Sequence, residues 1–199
     1  LKGDIPIGVH RQGCDVWMEP TYFHLDGQAG APPDDFSVNG QNWGFPTYNW
    51  EAMLQDNCQW WVRRFTYMAK FFDAYRVDHI LGFFRIWEIP IDSIQGLLGH
   101  FSPSLGLSRE EINSSGLSFE EAAGTTPFVS DAMLETLSPE AQTELRKTYL
   151  ERKGIQGVML SSLADSQRKV EALYAQGILS ASLRDALFSF INNVLFVRD

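Results

Sequence analysis

The spacing of apolar residues changes along this chain, and the change divides it into two halves. Short apolar runs at 5–9, 75–81 and 83–87 read as β-strands. Between the first two, residues 27–49 are rich in Gly, Pro and Asn and predict a long irregular loop. A helix is expected next, with Asn57 as its N-cap and Trp61, Phe65, Met68, Ala69 and Phe72 on one face. Strand, loop, helix and strand in that order make a βα unit with parallel strands and loops at the strand C-termini. In a closed parallel barrel that face carries the active site.

Beyond residue 90 the pattern turns helical. Ser108 to Glu111 reads as a helix start, as does 118–122, each with acidic residues in the first turn. Ser138-Pro139-Glu140 opens another, expected to run to about Lys153 and stop at Gly154. Residues 164–175 and 183–191 repeat the apolar spacing, with Gly177 between them. A mostly helical region is expected over about 95–190, with 193–197 returning as a strand.

Composition narrows the class. The 199 residues are 44% hydrophobic, 13% aromatic and 21% charged, an ordinary globular profile. A net charge of −9 without basic runs argues against nucleic acid or an anionic membrane as partner. No apolar stretch approaches membrane-span length. Cys14 and Cys58 lack metal-site or disulfide-scaffold spacing and read as reduced thiols of a cytoplasmic protein. The start Leu1-Lys2-Gly3-Asp4, without Met, reads as a piece of a longer polypeptide.

The chemistry concentrates at Ala74-Tyr75-Arg76-Val77-Asp78-His79-Ile80. On a strand, Arg76 and Asp78 point to the same side. A nearby cation favours the ionised carboxylate, which is what a carboxylate nucleophile needs. A surface ion pair on an edge strand produces the same pattern. The segment 40–50 interleaves Gln41, Asn42, Trp43, Tyr48, Asn49 and Trp50. Amides suit sugar hydroxyls and aromatic faces suit pyranose rings, although such aromatics also pack loops onto their own domain.

Five motifs follow one another in register: Gly3-Asp4-Ile5-Pro6-Ile7-Gly8-Val9, Asp15-Val16-Trp17, Gly30-Ala31-Pro32-Pro33-Asp34, Gly40-Gln41-Asn42-Trp43-Gly44 and Tyr75-Arg76-Val77-Asp78-His79. Together they closely resemble the amylomaltase, or disproportionating-enzyme, family of 4-α-glucanotransferases (glycoside hydrolase family 77). The continuation Ile80-Leu81-Gly82-Phe83-Phe84-Arg85-Ile86-Trp87-Glu88-Ile89-Pro90 looks most like the plant cytosolic type, which carries a large insertion after this point. The resemblance covers essentially the whole chain, strongly to Pro90 and more loosely beyond.

This resemblance implies an α/β fold. Residues 1–94 would be part of a (β/α)₈ TIM barrel, and 95–199 a mostly α-helical insertion whose last residues return to the barrel. It also implies a retaining transfer of α-1,4-glucosyl units from maltose or malto-oligosaccharides to glucan acceptors, without metal or organic cofactor. Asp78 matches the nucleophile and Arg76 the arginine that holds it. Asp4 matches a donor-site aspartate, and Trp43 a tryptophan near the sugar subsites. Asp34 belongs to the Pro-Pro-Asp motif opening a loop over the acceptor region, and Phe36 flanks substrate on it. His79 follows the nucleophile as in the family, where a buried hydrogen-bonding role is the plainer reading.

Two departures stand out: Asp35 replaces an aromatic common beside Phe36, and Leu81 an arginine of simpler bacterial members. A retaining mechanism needs a second carboxyl roughly 5–5.5 Å from the first. In the family that is a glutamate on the next barrel strand, and this chain ends before it. Glu88 reads as structural or salt-bridged, given Arg85, Trp87 and Pro90 around it. The chain alone is thus expected to be inactive, needing the remainder of its own polypeptide to complete a barrel of about 250 residues. An α-glucan hydrolase on the same site and a non-catalytic glucan-binding module are the rival readings.

Overall fold

A computed structural model describes residues 1–118, 120, 124–152 and 158–197. They fall into two compact units, Leu1–Ile91 with Gln95–Ser104, and Asp92–Ile94 with Leu105–Asp199.

In the first unit the strands are β1 (Lys2–Ile5), β2 (Phe23–His24), β3 (Gly27–Ala31), β4 (Gln41–Asn42), β5 (Thr47–Tyr48), β6 (Ala74–Val77), β7 (Ile86–Pro90) and β8 (His100–Ser102). The helices are α1 (Cys14–Met18), α2 (Trp50–Gln55) and α3 (Gln59–Met68). β1 and β6 pair in parallel, Asp4 facing Arg76 and Ile5 facing Val77, which is the predicted relation between the two runs. β4-β3-β7-β8 form an antiparallel sheet, and β2 pairs antiparallel with β5. Among the described residues no barrel closes; helices and small sheets are mixed.

The core gathers Ile5, Val9, Val16, Phe23, Met53, Trp60 and Trp61, with Phe65, Met68 and Tyr75 against it. Burying side chains of this size stabilises by about 1.5–3 kcal/mol each. The aromatics interlock edge-on, as Trp60 does with Trp61 at 4.8 Å and with Phe23 at 5.8 Å. They fix α3 beside the paired strands.

Several element boundaries differ from the sequence reading. The run 5–9 is strand only to Ile5, since Pro6 has no N–H for a ladder. The run 75–81 is strand only to Val77, because His79 takes a left-handed conformation (φ 47°) and starts the 3₁₀ turn Ile80–Phe83. The strand expected at 83–87 is Ile86–Pro90. The segment 27–49, expected as a loop, holds three strands, and in β3 small residues let backbones approach closely: at Gly30 a Cβ would collide with the Gln41 carbonyl oxygen. Asn57 is not the cap of α3. It has φ 58°, Cys58 takes the cap position, and Asp56 Oδ1 accepts from the Gln59 amide at 3.1 Å. Phe72 lies beyond the end of that helix.

The second unit holds α4 (Arg109–Ser114), α5 (Asp131–Glu135), α6 (Pro139–Glu144), β9 (Leu150–Arg152), β10 (Val158–Leu160), α7 (Gln167–Ala175) and α8 (Ala181–Ile191). Ser108, Ser138, Ser166 and Ser180 cap four of these helices through side-chain oxygens, and Ser108 with Glu111 completes a capping box. Leu134, Leu145, Val170, Leu183 and Leu187 are buried here. The region expected to be mostly helical therefore also contains strands. The helix expected from Ser138 to Lys153 ends at Glu144, passes through a π turn (Leu145–Tyr149) and becomes β9, which pairs antiparallel with β10. Residues 193–197 form no strand. The helix start expected at 118–122 runs onto residues outside the described set, and the stop at Gly154 lies outside it.

Candidate functional site

Parallel pairing of β1 and β6 brings Asp4, Arg76 and Asp78 to the C-terminal ends of adjacent strands. The Asp78 amide donates to the Ile5 carbonyl at 3.0 Å, which extends the ladder one residue past β6. Arg76 Nε and Nη2 donate to the two carboxylate oxygens of Asp4, each at 2.8 Å. These bonds, more than charge alone, hold the Asp4 carboxyl below the usual carboxylate range. The same contact raises the Arg76 guanidinium, with the charge of Asp78 adding to it at longer range. Sequence reasoning expected Arg76 to serve Asp78, its neighbour on the same strand. Instead the guanidinium fork lies across the ladder on Asp4, because register sets residues 4 and 76 side by side. The three side chains are exposed.

Asp78 Oδ1 accepts from the His79 amide at 3.2 Å. The His79 ring is half-buried and meets the Trp43 ring edge-on, centroids 5.3 Å apart and planes at 80°. Trp43 is held by its amide to the Ala29 carbonyl (3.0 Å) and by its indole N–H to Gln41 Oε1 (3.1 Å). The structure thus joins His79 to Trp43 by ring packing, where sequence reasoning expected a buried, hydrogen-bonding histidine.

Asp34 has a different surrounding. Its Oδ1 accepts from the amides of Phe36 (2.9 Å) and Ser37 (2.7 Å), and its own amide donates to the Ser37 carbonyl at 3.1 Å. Ser37 Oγ closes onto the Gly40 carbonyl at 2.7 Å. This carboxylate is engaged in shaping its own turn. Phe36, 97% exposed, is carried at the tip of that turn.

Beside His79 lies a cavity of about 580 Å³, lined among others by Thr47, Tyr48, Trp50, Phe83, Phe84, Arg85 and Glu88. Of the expected site residues only His79 reaches it. Thr47 Oγ1 donates to Glu88 Oε2 at 2.5 Å across β5 and β7. Sequence reasoning missed the cavity, because Thr47 and Glu88 are 41 residues apart and carry no local signal. Burial pushes the Tyr48 phenol up to about 12.

Cys14 and Cys58 are free thiols. Among the described residues no three His, Cys, Asp or Glu side chains are gathered as for a metal ion. No helix there is long and apolar enough to cross a membrane.

Asp4, Arg76 and Asp78 thus lie at the ends of a parallel strand pair in an α/β unit, and His79, next to Asp78, lines an aromatic-walled cavity. The family described as 4-alpha-glucanotransferase matches residues 1–181, and the chain belongs to that family, glycoside hydrolase family 77. The 4-alpha-glucanotransferase DPE2 of Oryza sativa subsp. japonica is 42% identical over 206 residues, covering all of this chain and 22% of the rice protein. The 4-alpha-glucanotransferase of Chlamydia caviae is 48% identical over 87 residues, 44% of this chain and 16% of its own. Among solved structures, amylomaltase from Streptococcus agalactiae in complex with acarbose aligns at TM-score 0.48 and 22% identity, over 97% of this chain and 57% of that one. The chain thus spans about a fifth of the length of the rice relative.

Proposed function

We propose that this chain is the nucleophile-bearing part of a 4-α-glucanotransferase, and that the complete polypeptide transfers α-1,4-glucosyl units from maltose or malto-oligosaccharides to glucan acceptors. The observation that carries this reading is the meeting of Asp4, Arg76 and Asp78 at the C-terminal ends of a parallel strand pair in a member of this family.

Asp78 attacks the anomeric carbon of the donor sugar and forms a covalent glycosyl-enzyme as the leaving sugar departs. An acceptor hydroxyl then displaces Asp78 with a second inversion, so configuration is retained. Arg76 and Asp4 act as one unit. The fork fixes both side chains at the strand ends beside the nucleophile. Trp43 offers an aromatic face to a sugar ring and His79 supports it. Phe36 and the Asp34-anchored turn flank the acceptor. The acid/base carboxyl comes from the remainder of the polypeptide, which also completes a (β/α)₈ barrel around β1 and β6. Residues 95–199 are a plant-type insertion, and the protein works in the cytoplasm on glucans, without metal or organic cofactor and without nucleic acid as a partner.

The test is to incubate the complete polypeptide with maltose and glycogen and to separate the products by chromatography. Glucose together with lengthened glucan chains is expected. Glucose without chain growth would make the enzyme a hydrolase, and no product would leave a glucan-binding module.

A further inference from the structure

Directly after Asp78 and His79 the chain folds into the 3₁₀ turn Ile80–Phe83, closed by the Gly82 amide donating to the His79 carbonyl at 2.9 Å. Gly82 is not in the left-handed region, so conformational freedom does not explain a glycine there. Space does. A Cβ on Gly82 would lie 2.6 Å from His79 Cδ2 and 3.2 Å from Nε2, with Ile86 Cδ1 at 3.0 Å. A methyl-bearing residue therefore cannot coexist with the His79 ring where it lies. That ring is also in edge-on contact with Trp43, whose indole is tied to Gln41 and whose amide is tied to Ala29. The backbone of His79 is fixed in turn, at φ 47° and with its amide on the Asp78 carboxylate.

We propose that Gly82 is a positioning residue of the transfer reaction. By carrying no side chain it admits the His79 imidazole to its place against Trp43, beside the nucleophile. This rests on the reading of Asp78 and Trp43 given above. Gly82 acts through the His79 ring. A Cβ at residue 82 turns the ring, and the ring's movement disturbs the Trp43 face on which the sugar rests.

The experiment is a double-mutant cycle on the complete polypeptide with maltose as donor and glycogen as acceptor. Gly82→Ala is measured in the wild type and in His79→Ala, with kcat, KM and the thermal midpoint for each. With the His79 ring present, Gly82→Ala is expected to lower kcat/KM by about tenfold to a hundredfold, the scale of a roughly 1 Å misplacement. With the ring removed, it is expected to change kcat/KM by less than about twofold. An equal loss in both backgrounds, or no loss in either, would overturn the proposal. If Gly82→Ala does not fold, the cycle is run in Ile86→Val, which shortens the other side chain that the new Cβ would meet. An inactive wild type would refute the glucanotransferase reading itself, whereas an active one makes the cycle a test of Gly82 alone.

Discussion

Arg76 grips Asp4 with two hydrogen bonds of 2.8 Å across a parallel ladder, and both residues belong to strands whose ends lead into the candidate site. The fork fits a carboxylate in a way that a lysine ammonium cannot reproduce. Arg76→Lys in the complete enzyme is therefore expected to lower kcat/KM by about 10²–10³-fold, the scale of losing one preorganised donor. Arg76→Gln is expected to return the Asp4 carboxyl upward toward 3.8, as read by carboxyl NMR titration. The sign follows from the lowered pKa. The pair's contribution to stability is present above the unfolded value of Asp4 and disappears as pH falls through the lower folded value.

Tyr48 titrates in the other direction. Burial pushes its phenol from 10.0 up to about 12, so the neutral form favours the folded state. That contribution is complete below pH 10 and is lost as pH rises through about 12. In an alkaline titration followed by tyrosinate absorbance, Tyr48→Phe is expected to remove a late step and leave the early ones.

Gly30 lies where β3 is paired with β4 and β7, and a Cβ there would meet the Gln41 carbonyl and Ile89 Cδ1. A carbonyl in a paired strand cannot swing aside as a side chain can. Gly30→Ala is expected to destabilise by at least the ~1–3 kcal/mol of core overpacking, measured as a fall in the urea midpoint.

In the second unit, Ser180 accepts from the Leu183 amide at 3.2 Å and starts α8, whose Leu183, Leu187, Phe190 and Ile191 are buried. Ser180→Ala is expected to cost about 1 kcal/mol, and Ser180→Asp to retain most of the cap. Urea denaturation of both variants checks this.

The contrast between Ser180 and Arg76 shows what could be read from the chain. Serine caps and apolar spacing are local, so the helix starts at Ser108 and Ser138 and the apolar spacing of 183–191 behind Ser180 were legible, as was the parallel relation of the strands around residues 5 and 75. The partner of Arg76 was not, because same-strand alternation identifies Asp78 while only cross-strand register reveals Asp4. Strand ends failed for a similar reason. Ile80 and Leu81 extend an apolar run in sequence, yet the left-handed His79 turns them outward, to 54% and 69% exposure. The Gly-Gln-Ala-Gly-Ala run of β3 carries no strand signal at all, since its small residues serve close backbone approach. The motifs marked Asp4, Asp34, Phe36, Trp43, Arg76, Asp78 and His79 by family resemblance. The contact of His79 with Trp43 and the cavity beside it required the fold.

The proposed transfer chemistry depends on Asp78 as the nucleophile of a retaining glucanotransferase. The most direct measurement is to react the complete enzyme with a fluorinated maltosyl fluoride, which slows release of the glycosyl-enzyme, and to map the labelled peptide by mass spectrometry. One glycosyl ester on Asp78 is expected, absent from Asp78→Asn. A glycosyl ester on any other residue, or continued turnover by Asp78→Asn, would contradict it.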